Sequence, residues 1–268
     1  MAASLVQEAV DVASRVLRKR PSALVSDIDG TISPIVATPE EAIVLPECRV
    51  ALQALAGCVD VVAVISGRTA AEARRMVEID GLLYFGNHGL ERWDSIRGYR
   101  NEAAAFEEDM QELGRRLADE LRKLPEVRVE DKGAVLSLHY RGASRPDETR
   151  RRIFDLLDRM LPSTRFTASE GKMVVEIRPL LTVDKGTVVE RLVGEYKLRG
   201  VTYIGDDLTD IDAMRALARL HASGLAGVTI GVAGDEAPSE LVEESDVVLP
   251  DPAMVSMFLE QLASTMSA

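Results

Sequence analysis

The stretch VSDIDGTISP, residues 25–34, places two aspartates two positions apart directly after an apolar run. Side chains at positions i and i+2 of a strand point to the same side, so Asp27 and Asp29 are predicted to share one location. Two carboxylates that close repel each other unless a cation or hydrogen-bond donors offset the charge. A polar turn that ends a strand is one interpretation, because Asp and Gly favour turns. A calcium loop does not fit, because EF-hand spacing counted from Asp27 would require Gly in place of Ile32 and Glu in place of Thr38.

Similar apolar runs with polar ends recur along the chain, and they indicate the fold class. They include VDVVAVISG, GLLYFGN, GVTYIGDD, GVTIGVAG and SDVVLPD. Most precede a stretch with helical periodicity, such as RTAAEARRMVEI or TDIDAMRALARL. This alternation predicts an α/β fold, a doubly wound parallel sheet with helices on both faces. Ligands of such sheets bind beyond the carboxyl ends of the strands, where the polar residues of these runs fall.

One region departs from the alternation and predicts an inserted α+β domain. Residues 102–179 are ordered as helix, two short strands, helix and two short strands. VRVEDKGAVLSLHYR has the pattern of a hairpin, and RFTASEGKMVVEIRP that of a second strand pair. In the last strand, alternation groups Met173, Val175 and Ile177 on one face, and the opposite face receives Lys172, Glu176 and Arg178. We therefore predict a core domain formed by residues 1–101 and 180–268 and interrupted by the domain of residues 102–179.

Composition and charge narrow the possible partners. The chain has 268 residues, of which 46% are hydrophobic, enough for one substantial core and a smaller module. A net charge of −12 argues against a nucleic-acid surface, which needs clustered Lys and Arg. No uncharged stretch approaches the roughly 18 residues that a membrane span needs. Residues 1–20 contain Glu8 and Asp11 and lack the apolar segment of a signal peptide, so we expect a cytoplasmic protein without a membrane partner.

Cysteines and histidines limit the metal chemistry. Cys48 and Cys58 are too few for a disulfide framework and are expected to be buried thiols. The three histidines are scattered along the chain and form no zinc motif. A metal site would then use oxygen ligands, which favours magnesium.

Four motifs at strand ends together suit phosphoryl transfer. They are DIDGT, VISGR ending in Arg68, DKGTVVERL with Lys185, and YIGDDLTDID with Asp206, Asp207 and Asp210. Each alone has a structural interpretation, as a turn, a solvated lysine or an acidic helix start. A carboxylate can attack phosphorus while magnesium, a hydroxyl, a lysine and backbone amides hold the phosphate oxygens. A second carboxylate two residues further on can protonate the leaving oxygen and then activate water.

The combination Asp-x-Asp-Gly-Thr, Ser, Lys and Gly-Asp-Asp-x-x-Asp resembles the haloacid-dehalogenase (HAD)-type phosphatase superfamily. The resemblance covers essentially the whole chain after Pro21, and the insertion resembles a C2-type cap in position and element order. Two further stretches, GNHGLE (residues 86–91) and EGKMVVEIRP (residues 170–179), resemble the trehalose-6-phosphate phosphatase family. The fold expected from this resemblance is a HAD-like, Rossmann-like core with an inserted α+β cap.

The resemblance implies an Mg²⁺-dependent phosphatase that hydrolyses trehalose 6-phosphate through an aspartyl-phosphate. It implies Asp27 as nucleophile and Asp29 as general acid/base. The implied phosphate-binding residues are Ser66, Gly67 and Lys185. The implied metal ligands are Asp27, the backbone carbonyl of Asp29, and Asp206, with Thr31, Asp207 and Asp210 around them. The implied substrate-binding residues are Arg68, Asn87, His88, Glu170, Lys172, Glu176 and Arg178.

Several other functions remain open at this point. Another sugar-phosphate phosphatase of the same branch, acting on glucosyl- or mannosyl-3-phosphoglycerate or on sucrose phosphate, would share the chemistry. A phosphomutase would return the phosphate to the sugar instead of to water. A regulatory module with a phospho-accepting aspartate would need only about 120 residues and would leave the insertion unexplained. We expect a monomer that binds a small-molecule sugar phosphate.

Overall fold

The computed structural model of the protein describes residues 2–36, 38–161, 165–171, 173–234 and 237–268. The chain divides into two compact units, Met1–Arg100 with Val183–Ala268, and Asn101–Thr182. Two clusters of buried apolar residues belong to the first unit, and a third belongs to the second. Each unit therefore has a hydrophobic core of its own.

The first unit contains helices and strands from both ends of the chain. Its helices are α1 (Ala2–Leu17), α2 (Pro46–Ala56), α3 (Ala70–Val77), α6 (Lys185–Tyr196), α7 (Leu208–His221), α8 (Ser239–Glu243) and α9 (Pro252–Ser267). Its strands are β1 (Ser22–Ser26), β2 (Val61–Ile65), β3 (Leu83–Gly86), β4 (Glu91–Asp94), β5 (Gly98–Asn101), β10 (Gly200–Gly205), β11 (Ala226–Val232) and β12 (Val247–Leu249). Within the described ranges none of the helices has the length and apolar character needed to cross a bilayer.

In the part of the chain that the structure describes, these strands form one sheet in the order β12-β11-β10-β1-β2-β3-β4-β5. The strands from β12 to β3 are parallel, and β1 pairs with β10 on one side and β2 on the other. Leu24 joins the core on the face covered by α1, α2, α3 and α9, whereas its neighbours Ala23 and Val25 join the core beneath α6 and α7. The predicted doubly wound parallel sheet is confirmed. The antiparallel addition of β4 to β3 was not predicted.

The second unit is an α+β structure. Its elements are α4 (Glu107–Leu121), β6 (Arg128–Asp131), β7 (Leu136–His139), α5 (Pro146–Met160), β8 (Phe166–Gly171) and β9 (Val174–Pro179). The strands form an antiparallel sheet in the order β6-β7-β9-β8. Leu138 and Val175, paired across β7 and β9, are buried in its core. Met173 lies in the β8–β9 turn at φ 61° and is exposed, so the prediction that it shares a face with the buried Val175 and Ile177 is wrong.

The two cysteines differ in burial. Cys48 on α2 is buried in the core of the first unit, as predicted. Cys58 is only partly buried, with its Sγ 3.4 Å from Oγ of Ser267, so the prediction of a second buried thiol is wrong. Both are free thiols.

Candidate active site

The turn after β1 brings the first motif close to the strand end of β10. Asp27 follows β1, and its N–H donates to the carbonyl of Ile204 at 2.9 Å. Gly30 has φ +86°, and a Cβ there would lie 2.1 Å from Oδ2 of Asp206. Glycine thus permits both the turn and the approach of the two loops. Thr31 Oγ1 donates to Oδ1 of Asp206 at 3.3 Å, and Asp27 also lies close to Asp206, so the turn brings these three residues together.

Lys185 lies at the centre of the carboxylates. It is the first residue of α6, whose N-cap Asp184 accepts a hydrogen bond from the N–H of Thr187 at 2.7 Å. Its Nζ donates to Oδ1 of Asp27 at 2.8 Å and to Oδ1 of Asp210 at 2.6 Å. Burial alone would lower the pKa of Lys185, but the attraction of these two carboxylates outweighs it and raises the pKa. The Lys185 ammonium is therefore charged and fixed between two carboxylates.

Asp210 holds the start of α7 and Lys185 at once. Its Oδ2 accepts from the backbone N–H groups of Asp206 and Asp207, at 3.0 and 2.9 Å. Its Oδ1 accepts from Lys185 and from the hydroxyl of Tyr203, the latter at 2.5 Å. Burial raises the pKa of Tyr203 well above its usual range, so the hydroxyl stays a donor. Asp207 caps α7 by accepting from the N–H of the next residue.

The site carries more negative than positive charge. Oxygens of Asp27, Asp206 and Asp210 lie within 4.8 Å of one another, and all three residues are buried. Burial raises the pKa of Asp27 well above its usual range, and although Lys185 opposes this, Asp210 and Asp206 raise it further. Three carboxylates face one ammonium, so a divalent cation would offset the remaining charge. Because Asp210 already accepts four hydrogen bonds, Asp27 and Asp206 are the carboxylates best placed to bind a hard cation such as Mg²⁺.

The loop after β2 is held to the loop after β3. The N–H of Ser66 donates to the carbonyl of Phe85 at 2.9 Å, and the N–H of His88 donates to the carbonyl of Ser66 at 3.0 Å. Ser66 Oγ accepts from the N–H of Arg68 at 3.2 Å, an arrangement in which the hydroxyl can donate its hydrogen to a phosphate oxygen. A Cβ at Gly67 would lie 2.9 Å from Cε1 and Nε2 of His88, so the imidazole lies directly against Gly67.

A buried glutamate that we did not predict as a site residue organises this loop pair. Glu91, 4% exposed, accepts from Nδ2 of Asn87 at 2.8 Å and from the N–H of Ala70 at 2.7 Å. It thereby connects the GNHGLE loop with the first turn of α3. Asn87 and His88 both have left-handed backbone conformations, at φ 48° and 56°. Glu91 is part of the quoted motif, but its spacing gives no sign that its side chain is buried.

Arg68 contacts the second aspartate of the first motif. Its guanidinium donates two hydrogen bonds to the carboxylate of Asp29, each at 2.7 Å, and a third to the carbonyl of Pro39 at 3.0 Å. The sequence placed Arg68 among the substrate-binding residues. In the structure its guanidinium forms an ion pair with the carboxylate of Asp29.

The sheet of the second unit has a polar face that includes Glu176. Oε1 of Glu176 accepts from Nζ of Lys132 at 3.2 Å and from Oγ of Ser137 at 3.1 Å. Nζ of Lys132, whose side chain is 8% exposed, also lies 3.8 Å from Oε2 of Glu130. The same Glu130 oxygen is 2.8 Å from Nε2 of His139. We call these five residues the cap polar face; only Glu176 was predicted, although the alternation of polar residues with Leu136 and Leu138 could have indicated the others.

The remaining predicted cap residues do not all join this face. Glu170 pairs in register with Val175, whose side chain is in the core, and its carboxylate accepts from the guanidinium of Arg150 on α5. It therefore lies on the opposite face of the sheet from Glu176. Arg178, two residues after Glu176, lies on the same face as Glu176. Lys172 lies outside the described residues.

Comparison with known proteins identifies the family. A family model described as Trehalose-phosphatase matches residues 25–246. An uncharacterized glycosyl hydrolase of Mycobacterium tuberculosis is 36% identical in an alignment that covers 98% of this chain but 20% of that protein. A trehalose-phosphate phosphatase of Mycobacterium avium is 33% identical, and the alignment covers 92% of this chain and 63% of that protein. A probable trehalose-phosphate phosphatase of Oryza sativa is 31% identical, and the alignment covers 92% of this chain and 69% of that protein. This chain thus spans only part of the length of these relatives.

Solved structures show the same fold. The C-terminal domain of trehalose-6-phosphate phosphatase from C. albicans superposes with a TM-score of 0.79 at 22% identity, covering 98% of this chain and 96% of that one. A trehalose-6-phosphate phosphatase of Aspergillus fumigatus gives a TM-score of 0.63 at 26% identity, covering 96% and 97%. The motifs, the fold and the family match agree, and the chain belongs to the trehalose-phosphatase family.

Proposed function

We propose that this chain is an Mg²⁺-dependent phosphatase that hydrolyses trehalose 6-phosphate to trehalose and phosphate through an aspartyl-phosphate. The observation that carries the proposal is the buried group in which Lys185 bridges Asp27 and Asp210 beside Asp206. The names of the relatives support the substrate. We further propose that residues 102–179 work as a cap domain, and residues 1–101 and 180–268 as the catalytic core.

In the first step, a carboxylate oxygen of Asp27 attacks phosphorus and the bond from phosphorus to the sugar oxygen breaks. Asp29 gives its proton to that oxygen, and trehalose leaves as an alcohol. Lys185, the Ser66 hydroxyl and the backbone N–H of Gly67 donate to the phosphoryl oxygens. A bound Mg²⁺, held by Asp27, Asp206 and the carbonyl of Asp29, would neutralise negative charge on the phosphoryl group.

In the second step, water attacks phosphorus of the aspartyl-phosphate. Asp29, now a carboxylate, takes a proton from the water, and the bond from phosphorus to the Asp27 oxygen breaks. Phosphate leaves, and Asp27 and Asp29 return to their starting states. Asp210 keeps Lys185 in position in both steps through its hydrogen bond to Nζ, and Tyr203 in turn donates to Asp210.

We propose that the cap polar face binds the hydroxyl groups of the sugar. It combines carboxylates, which accept from hydroxyls, with the Lys132 ammonium, which donates to them. Glu176 and Lys132 are already oriented by each other at 3.2 Å, so little side-chain freedom would be lost on binding. Arg178 on the same face adds a donor. Asn87 and His88, beside the phosphate-binding loop, are proposed to contact the substrate as well.

The substrate and the metal are tested by phosphate release from a panel of sugar phosphates, with and without a chelator. We expect trehalose 6-phosphate to be the best substrate, and turnover to stop in chelator and return with added Mg²⁺. The panel includes glucosyl-3-phosphoglycerate and sucrose phosphate, and a preference for either would replace the substrate. Full activity in excess chelator would remove Mg²⁺ from the proposal.

The nucleophile is tested by Asp27→Asn, with Asp251→Asn as the matched control. Asp251 caps α9 by accepting from Met254, a role that Asn also fills well. Quenching during turnover of labelled substrate should trap label on Asp27 of the wild type and of the control. Asp27→Asn should show no label and no turnover, and label on another residue would refute the assignment.

The cap assignment is tested by Glu176→Gln, with Glu112→Gln, an exposed residue of α4, as control. Charged hydrogen bonds contribute about 1.5–3 kcal/mol, so Glu176→Gln should weaken capture of trehalose 6-phosphate by roughly ten- to a hundredfold. Hydrolysis of p-nitrophenyl phosphate, which has no sugar, should change little in either variant. Equal small effects on both substrates would mean that the cap polar face does not bind the sugar.

A further inference from the structure

We infer that Arg68 is a positioning residue that fixes the direction of the Asp29 carboxylate and does not bind the substrate. The inference rests on the proposed function, in which Asp29 transfers the protons. It assigns Arg68 a role different from the substrate contact that the sequence suggested.

The first support is the geometry of the pair. Nε of Arg68 donates to Oδ2 of Asp29 and Nη2 donates to Oδ1, both at 2.7 Å. Two parallel bonds from a planar fork restrict rotation of the carboxylate, which a single bond does not. Each carboxylate oxygen still has a second lone pair, directed away from the guanidinium. Proton exchange with the leaving oxygen or with water is therefore confined to these two outward-facing lone pairs of Asp29.

The second support is that Arg68 is itself held in place. Its Nη2 also donates to the carbonyl of Pro39 at 3.0 Å, its N–H donates to Ser66 Oγ, and its carbonyl accepts from the N–H of Asn87 at 2.8 Å. Its side chain is 15% exposed, against 38% for Asp29. The guanidinium is thus the covered partner, and the carboxylate is the partner that a substrate can reach.

These contacts have a consequence for catalysis. A general acid or base needs its oxygen at a fixed distance and direction from the reacting oxygen, and small misplacements are costly. Arg68 connects the direction of Asp29 with the loop that carries Ser66. Loss of the guanidinium should leave Asp29 present but with its carboxylate free to rotate.

The test is a double-mutant cycle with Arg68→Ala, Asp29→Asn and the double variant, assayed on trehalose 6-phosphate. Arg68→Ala alone should lower kcat by roughly ten- to a hundredfold, within the 10²- to 10⁴-fold that a general acid/base contributes, and should change KM by less than about twofold. In the Asp29→Asn background it should lower kcat by less than about twofold more, because the group it orients no longer exchanges protons. Arg68→Lys should recover part of the loss, since its ammonium can reach one oxygen.

The leaving group gives an independent readout. Single-turnover release of the leaving group reports the first step alone, and p-nitrophenolate leaves without being protonated. Arg68→Ala should therefore slow release of trehalose much more than release of p-nitrophenolate. Equal slowing of trehalose release and p-nitrophenolate release would overturn the inference, because it would show that Arg68 binds the phosphate or the sugar. A rise in KM in Arg68→Ala that is also seen in the Asp29→Asn background would show the same.

Arg20→Ala is the matched control for the loss of an ion pair. Arg20 makes the same two-bond contact with Asp60, at 3.0 and 2.9 Å, elsewhere in the first unit. The Arg20→Ala variant should have the same kcat as the wild type. If Arg68→Ala does not fold, the cycle is run with Arg68→Lys. If the losses from Arg68→Lys and Asp29→Asn then multiply in the double variant, the inference is overturned. A wild type inactive on both esters would refute the proposed function, whereas an active wild type with unaffected Arg68 variants would refute only this inference.

Discussion

Tyr203 shows how a residue without reactive chemistry can matter to the site. Its hydroxyl is one of four donors to Asp210, and another is Lys185. Tyr203→Phe removes that donor with little change in volume, so Asp210 should attract Lys185 more strongly and away from Asp27. A hydrogen bond to a charged group contributes about 1.5–3 kcal/mol, so we expect kcat to fall by roughly tenfold or more, with KM little changed.

Tyr84→Phe is the control for this prediction. The hydroxyl of Tyr84 is also buried and donates to the carbonyl of Ile79 at 2.7 Å, in the core on the other face of the sheet. Steady-state kinetics and thermal unfolding of both variants are compared. Both should lower Tm, but only Tyr203→Phe should lower kcat, and an equal kcat in the two would contradict the role of Tyr203.

The two thiols should differ sharply in reactivity. Burial raises the pKa of the Cys48 thiol to about 12, and only the thiolate reacts. We expect dithionitrobenzoate at pH 8 to label Cys58 in the native protein and to label both cysteines in denaturant. Cys58→Ala should abolish native labelling, and rapid labelling of that variant would show that Cys48 is accessible.

At the residue scale, the sequence predicted the residues whose backbone positions determine the site. These residues, Asp27, Lys185 and Asp206, follow strands or begin a helix at the carboxyl ends of the parallel strands. Backbone positions at these ends lie close together independently of side-chain conformation. Contacts that depend on side-chain reach were not predictable from spacing. The pairing of Arg68 with Asp29 and the burial of Glu91 are of this second kind.

At the element scale, the N-cap of α6 should influence catalysis because Lys185 occupies the first turn. Asp184→Ala removes the acceptor of the Thr187 N–H and should cost about 0.5–2 kcal/mol of unfolding free energy. Asp251→Ala removes a similar acceptor from α9, at 2.8 Å from the N–H of Met254, and should cost about as much. Chemical denaturation and kcat are measured for both.

Only the α6 variant should lose activity, since a frayed first turn lets Lys185 move from Asp27. A kcat equal to that of Asp251→Ala would show that the ion pairs alone hold Lys185. This outcome would be informative, because the two carboxylates that contact Lys185 come from other elements.

Elements with a clear period were predicted well, and short ones were not. The parallel strands and the αββαββ order of the insertion follow from apolar runs of strand length and from helical periodicity. β4 and β5 were missed, because the stretches ERWD and GYRN are largely polar and form the last two strands at one end of the sheet. Glu170 lies on the helix-facing side because the β8–β9 turn reverses the chain, so its register with Val175, not its distance from Glu176 in sequence, decides its face.

At the scale of the whole molecule, the second unit should fold alone. Its core includes Leu138, Ile153 and Ile177, all fully buried, and it exceeds the roughly 60 residues at which many domains fold independently. The fragment 101–182 should unfold cooperatively on heating. Leu138→Ala should cost about 2–5 kcal/mol of unfolding free energy, whereas Arg122→Ala on the exposed surface should have little effect. A fragment without a cooperative transition would show that its core depends on the rest of the chain.

The position of β1 between β2 and β10 has a consequence for synthesis on the ribosome. Lys185 follows Asp27 by 158 residues, so at roughly 5–20 residues per second a ribosome needs about 8–32 s to reach it, and β10, the other neighbour of β1, is made later still. Throughout that interval β1, with all five residues destined for burial, has β2 available but an unpaired edge on its other side. Exposed apolar edges of this kind recruit other strands. β1, the strand that leads into the proposed nucleophile, therefore needs chaperone protection while the chain is being made.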